Sequence, residues 1–521
     1  MKRLYWFGSA LLCLGLSGAA AVAALKDDRP AIFIAGDSTA AAGSSDEQRG
    51  WAWAFADFFD SEQVRIENRA RGGRSSRTFI TEGHWAELLE AVRPGDWVLI
   101  QLGHNDGGAI NEEPPGSNRP LRARGSLPGI GDEQEAIDNV LTEQHEVVYT
   151  FGHYLRQMVE EVQAKGAYPV LMSLTVRNIW SNGRLERGSG QFGAWSYQVA
   201  REAGIPFIDV SNRAADRLEP IGPKLMNLLY PRDHTHTGAA GARVHAEVVL
   251  SGLKGLRPSP IQDAWLNEAG EAVETDGMAF LGLPFPADAR KPSLFLIGDS
   301  TVRNGRGDGA GGEWGWGDFL GEHLDAEDFN IVNRAVGGLS SRTFRTGGYW
   351  ERVKSLLRPG DVLVIQFGHN DSAALNDDSR ARGTIRGTGS EMEFIQNQLT
   401  GKPEMVFSYG EYLRRYVAEA LEMGVTPVIC SPVPRKVWDA ENRIVRNPDS
   451  YPAWAREVAE SAGIAFIDLH ESIARRYDAM GPEAVDALFA DERTHTSREG
   501  ARLNAEVAAD ALVSKVFNKN D

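Results

Sequence analysis

The chain has 521 residues, 42% of them apolar and 24% charged, an ordinary globular balance with core material for two to four domains. A net charge of −17 argues against nucleic acid or an anionic membrane as a partner. Only Cys13 and Cys430 are present, and the first falls in a removable leader, so no intrachain disulfide is expected in the mature chain.

Residues 1–23 have a basic start (Lys2, Arg3), an apolar stretch and small residues at Ala21 and Ala23, the pattern of a secretory signal cut after Ala23. Loss of Lys2 and Arg3 takes the net charge from −17 to −19. Cys13 follows Leu12 where a lipoprotein site needs a small residue, and no other apolar run can span a bilayer, so an exported, soluble protein is expected.

From 24 to 256, "AIFIA", "VRIE", "WVLIQL", "YPVLMSL" and "PFIDV" are short apolar runs suited to a sheet buried on both faces. Helical stretches separate them, such as "YLRQMVEEVQAKG", with Tyr154, Leu155, Met158, Val159 and Val162 on one stripe and Gly166 as the stop. This alternation predicts a parallel sheet with helices on both faces, with reactive groups at the carboxyl ends of the strands. Segment 257–291 carries Pro258, Pro260, Pro284 and Pro286 without helical period and reads as a linker.

The pattern then repeats from 292 to 521. "NRARGGRSSRTF" (68–79) and "NRAVGGLSSRTF" (333–344) agree at ten of twelve positions, "RPGDWVLIQLGHND" matches "RPGDVLVIQFGHND", and "HTHTGAAGAR" parallels "RTHTSREGAR". The unit of repetition is a whole domain, far longer than a solenoid repeat of roughly 20–50 residues. Two tandem α/β domains are therefore expected.

In each copy the polar candidates fall at strand ends: Ser38, Gly73, Asn105, Asp233 and His236 in the first, and Ser300, Gly338, Asn370 and His495 in the second. Acyl transfer is the chemistry they suit. A serine hydroxyl needs a base, histidine has the right pKa, and a carboxylate must fix its tautomer. The amides of Ser38 and Gly73 with the Asn105 side chain supply donors for an oxyanion. Singly these signals are weak: a Gly-Asp-Ser turn also serves as a helix cap, and "DHTH" also suits a metal. Zinc is disfavoured because Arg493 replaces His234 in the second copy.

With "GDST", "GGRSSRTF", "GHND", "RGSLPGIGDE" (124–133) and "DHTHT" in the first copy, and "GDSTVRNG", "SSRTF", "GHNDS", "RGTIRGTGSE" (382–391) and "SPVPRKVW" (431–438) in the second, the chain resembles the SGNH (GDSL-type) hydrolases. More narrowly it resembles the rhamnogalacturonan acetylesterases, carbohydrate esterase family twelve, over nearly all of the mature chain. The resemblance implies flavodoxin-like three-layer α/β/α domains, a Ser-His-Asp triad, no cofactor or metal, and removal of acetyl esters from plant cell-wall polysaccharide. Carried over by position, Ser38 is the nucleophile, His236 the base and Asp233 its acid, with Gly73 and Asn105 in the oxyanion hole. The second copy departs where "YPRDHTHT" aligns with "FADERTHT". That alignment puts Glu492 in the acid's place beside His495, with Asp491 one position earlier, and Leu339 replaces Arg74. The second domain is expected to be active, against a reading as a weakened or structural twin.

Other residues carry two readings each. Arg77 and Arg342 contact an acidic polysaccharide or pin the loop through backbone carbonyls. His104 and His369 line the pocket or are hydrogen-bonded loop residues. Trp51, Trp53, Trp314 and Trp316 stack on sugars or belong to the core. The long polar segments 107–143 and 372–404 are expected to wall the substrate cleft, and "GRGDGAGG" (305–312) to be a flexible loop near the site. Cys430 reads as an inert core thiol. A pectic substrate would need a local basic patch against the acidic net charge, for which Arg74, Arg77, Arg122 and Arg124 are candidates. The competing functions are an esterase on lipid or small esters, and a polysaccharide-binding second domain serving a catalytic first one.

Overall fold

The computed structural model describes residues 27–112, 121–188, 190–324 and 327–517. The expected leader, residues 1–23, lies outside them. No helix among the described residues is long and apolar enough to cross a membrane.

All five runs read as strands in the first copy pair in one parallel sheet. These are β1 (Ala31–Gly36), β2 (Arg65–Asn68), β3 (Trp97–Gln101), β6 (Tyr168–Met172) and β9 (Phe207–Ile208), in the order β2-β1-β3-β6-β9. Between them, β4 (Gln134–Asp138) and β5 (His145–Tyr149) form a hairpin after β3, and β7 (Trp180–Ser181) and β8 (Arg184–Leu185) a short ribbon after β6. β1 is buried at every residue, as a central strand covered by helices on both faces must be. The chain leaves β1 towards β2 and returns on the other side as β3, so strand order reverses at the carboxyl ends of β1 and β3. An open α/β sheet offers its crevice at such a reversal.

The second copy repeats this with β10 (Ser293–Gly298), β11 (Asn330–Asn333), β12 (Val362–Gln366), β15 (Thr426–Cys430) and β16 (Ala465–Ile467), ordered β11-β10-β12-β15-β16. Its hairpin is β13 (Met392–Gln396) with β14 (Pro403–Phe407). The segments after each Gly-His-Asn-Asp motif are thus partly hairpin. Cys430 is buried, and burial pushes its thiol pKa up, which keeps it protonated and inert.

Two indole readings are settled by burial. Trp51 is fully buried and donates Nε1 to Gln101 Oε1 at 2.6 Å, and Trp316 does the same to Gln366 at 2.8 Å. They are core residues. Trp53 and Trp314 are only partly buried, each under an arginine, Arg49 and Arg498 respectively.

The stretch from 257 to 291, read as a linker, is itself closely packed. Trp265 and Leu266 are buried, Leu266 bridges to Phe59, and Asp276 takes both terminal nitrogens of Arg352 at 2.6 and 3.1 Å. Leu281 and Phe285 then enter a single buried cluster that includes Phe207 of the first domain and Phe295 and Trp350 of the second. The two domains share one hydrophobic cluster.

Candidate active sites

The first residue after β1 is Asp37, fully buried, whose Oδ1 accepts from the Thr39 amide at 2.9 Å and the Thr39 hydroxyl at 2.8 Å. This tight turn presents Ser38 at the sheet's carboxyl edge. Ser38 Oγ lies 2.8 Å from His236 Nε2, and His236 Nδ1 lies 2.8 Å from Asp233 Oδ2. The other oxygen of Asp233 accepts from the amides of Thr235 (2.7 Å) and His236 (2.8 Å). Burial pushes the Asp233 carboxyl up, but the His236 ring and these amides outweigh it and bring it down to about 2. A carboxylate charged at any working pH can hold Nδ1–H, and in that arrangement Nε2 would be the ring nitrogen able to accept from a hydroxyl.

In the second domain Ser300 Oγ lies 3.0 Å from His495 Nε2. The carboxylate on Nδ1, however, belongs to Asp491 at 2.7 Å, and Glu492, assigned that place by the ungapped alignment, is exposed. This corrects the sequence assignment. One extra residue in the loop makes the spacing four instead of three, and Asp491 Oδ1 gathers the amides of Arg493, Thr494 and His495 at 3.0, 2.6 and 2.9 Å. Those three donors fix where the carboxylate sits. Burial raises the Asp491 carboxyl, and these bonds with that from the His495 ring overcome it, again to about 2.

The second glycine of each Gly-Gly pair is held in the left-handed region, Gly73 at φ +79° and Gly338 at φ +82°, while the first, Gly72 or Gly337, is the one that faces the Ser38 or Ser300 side chain. At Gly73 a Cβ would meet nothing within 4 Å, so conformation demands glycine there and crowding does not. Asn105 Nδ2 donates to the Arg74 carbonyl at 3.0 Å, and Asn370 Nδ2 to Leu339 at 2.9 Å. Each bond uses one of the two amide hydrogens that such a side chain can donate. Ser300, Gly338, Asn370 and His495 line one cavity of about 600 Å³.

Beneath these loops lies an acid that residue spacing did not single out. The last residue of each Gly-His-Asn-Asp motif, Asp106 or Asp371, is buried and accepts from the backbone and hydroxyl of Ser76 or Ser341, tying the glycine loop to the asparagine loop. Burial, against the opposing serine bonds, raises Asp106 to about 6 and Asp371 to about 7. The folded protein therefore binds these protons more tightly than the unfolded chain does. Stability from these groups is greatest near pH 4 and falls as pH climbs through about 7. Asp371→Asn, which mimics the protonated acid, should flatten the fall in unfolding free energy between pH 5 and 8 by an amount on the order of 2 kcal/mol. Parallel wild-type and variant curves would refute this account.

Arg77 and Arg342 are not available to a substrate. Both are completely buried. Arg77 makes a fork to Glu146 (2.6 and 2.7 Å) and donates to the carbonyls of Ile110 and Gly125 (both 2.9 Å), and Arg342 repeats this with Glu404, Leu375 and Gly383. They brace the hairpin and the preceding loop against the short helices Ser76–Thr81 and Ser341–Thr346. His104 Nε2 bonds the Thr175 hydroxyl at 3.0 Å, and His369 borders the second cavity. Burial lowers both rings, His369 to about 4, so they are neutral at pH 7.

Residues outside the expected set also reach the second cavity. Arg380, Arg382 and Arg435 line it, and Arg382 Nη1 donates to the Gly338 carbonyl at 2.7 Å. Segment 372–404 thus walls the cleft, as expected, and Asn304 and Gly305 place the glycine-rich loop beside it. Among the described residues, Glu313, Asp491 and His495 could share a cation, their ligand atoms lying within 4.8 Å of one another. A cation there would displace the proton between His495 and Asp491, so it would oppose the base function.

Residues 34–244 and 296–503 each match the GDSL-like Lipase/Acylhydrolase family, one match per domain. The chain belongs to that family. It is a carboxylic ester hydrolase built from two such domains. A rhamnogalacturonan acetylesterase of Emericella nidulans is 33% identical over 222 residues, 43% of this chain and 84% of that protein. A probable rhamnogalacturonan acetylesterase of Bacillus subtilis, YesY, is 31% identical over 226 residues, 42% and 91% of the two chains. Among solved structures, the acetylxylan esterase Axe2 of Geobacillus stearothermophilus aligns with a TM-score of 0.30 and 19% identity, covering 46% of this chain and 97% of that one.

Proposed function

We propose that this GDSL-family hydrolase removes acetyl esters from an acidic cell-wall polysaccharide of the rhamnogalacturonan type, at two active sites, outside the cell. Ser38 and Ser300 attack the acetyl carbonyl while His236 and His495 take the hydroxyl proton. The amides beside Gly73 and Gly338 and the side chains of Asn105 and Asn370 receive the negative oxygen. The histidine returns the proton to the departing sugar hydroxyl, and water, activated by the same base, releases acetate from the serine.

The observation that carries the substrate class is the charge of the second cavity: Arg380, Arg382 and Arg435 gather around Ser300 in a chain of net charge −17. The adjoining groove shares Arg380 and Arg382 and adds Lys402, extending the basic surface as a polymer would require. Of the first-domain arginines considered for this role, Arg77 is buried and Arg74 is paired with Glu82. The unbroken Ser300–His495–Asp491 chain favours catalysis over a purely binding role for the second domain.

Acetate release from acetylated rhamnogalacturonan and acetylated xylan by wild type, Ser38→Ala, Ser300→Ala and the double variant tests this. Each single variant should lose part of the release from rhamnogalacturonan and the double variant nearly all of it. Equal or faster release from neutral xylan would overturn the acidic-substrate reading, and a full loss on Ser38→Ala alone would overturn the second active site.

A further inference from the structure

Three residues after Ser300, Arg303 is buried, and its guanidinium reaches into the connecting segment. Nη2 donates to the carbonyls of Leu281 (2.9 Å) and Arg306 (2.6 Å), and Nη1 to Gly305 (3.1 Å). From the other side the first domain grips the same segment. Tyr197, on the helix Phe192–Glu202, donates its hydroxyl to the Gly282 carbonyl at 2.9 Å. Arg201 of that helix reaches past the segment to the Gly307 carbonyl in the second domain's glycine-rich loop at 2.8 Å, and within the segment itself the Arg257 guanidinium lies 4.0 Å from the Phe280 ring centroid. Phe280 and Leu281, held in this clamp, border the cavity that contains Ser300 and His495.

We propose that Phe280 is a substrate-contacting, specificity-determining residue of the second site, backed by the buried Leu281, and that Arg303 is the residue that positions them. The second site is then completed by a segment clamped onto the first domain. Counting back the 262 residues that separate Ser38 from Ser300, Arg303 falls on Ala41, which has no donor to make this latch. The latch itself is therefore particular to the second copy, where Phe280 and Leu281 add an apolar wall to three arginines, a combination suited to the apolar face of a sugar ring whose neighbours carry carboxylates.

This rests on the second site being an acetylesterase, so the test starts from Ser38→Ala, in which only Ser300 can turn over. Phe280→Ala and, separately, Arg303→Met are added to that chain. Each should raise KM for an acetylated acidic oligosaccharide about tenfold. The preference for that oligosaccharide over p-nitrophenyl acetate, as a ratio of kcat/KM values, should fall by the same factor. A KM within twofold of the parent for Phe280→Ala, or an equal loss on both esters, would overturn the proposal. If the Ser38→Ala parent releases acetate from neither ester, the esterase reading of the second site fails instead. The wall is then judged by calorimetric binding of the same oligosaccharide: about tenfold weaker binding on Phe280→Ala supports it, and unaltered binding overturns it.

Discussion

In a Ser38→Ala background, Asp491→Ala should lower kcat for acetate release by about 10³–10⁴-fold, whereas Glu492→Ala should leave it within about twofold. The asymmetry follows from position. Asp491 holds His495 Nδ1 at 2.7 Å while three backbone amides hold Asp491, and Glu492 is exposed to solvent. Without the acid the imidazole can rotate or adopt the tautomer that cannot accept from Ser300. The kcat of the two variants, measured side by side, decides the matter: a large loss on Glu492→Ala with little on Asp491→Ala would restore the acid implied by simple alignment.

The second large effect concerns stability. Arg342→Met should destabilise the fold by about 3–5 kcal/mol, because it strands Glu404 and the carbonyls of Leu375 and Gly383 in a largely buried place. Arg342→Lys should recover only a minor part, since a single ammonium cannot supply the planar fork that both carboxylate oxygens receive. In a domain of this size the loss corresponds to a melting point lower by about 10 °C. The same substitution at Arg77 should behave alike through Glu146. Melting points within about 2 °C of wild type would mean that the brace carries little energy.

These two cases show what the sequence made legible. The central strands were readable because a strand buried on both faces must be a short continuous apolar run, and "AIFIA" and "SLFLIG" are such runs, whereas the edge strand β2 is half-buried and carries Arg65 and Glu67. Ser38 and Asn105 with their counterparts were readable as candidates because they sit just after those strands, and His236 and His495 because each lies just before the last helix of its copy. Asp491 was not, since a one-residue insertion leaves an acid at both candidate positions and only the loop's hydrogen bonds choose between them. Arg77 was ambiguous for a different reason: its partner Glu146 is 69 residues away, and nothing local reveals a buried fork. The packing of the connecting segment was not legible because its order comes from single side chains, Trp265, Leu281 and Phe285, inserted into other elements, and such contacts leave no periodicity. Prolines there signalled the absence of helix, which is not the absence of packing.

The buried cluster that passes through Leu281 and Phe285 changes what the duplication means for the history of the chain. Two copies joined by a free tether remain exchangeable parts: either can be lost, copied again or moved to another gene. Once a common apolar surface forms, cutting between them exposes that surface to water on both halves and invites aggregation. From then on a deletion or recombination that separates them is penalised whether or not either active site is touched. The tandem arrangement would thus be retained by folding even in a lineage that needed only one of its two serines.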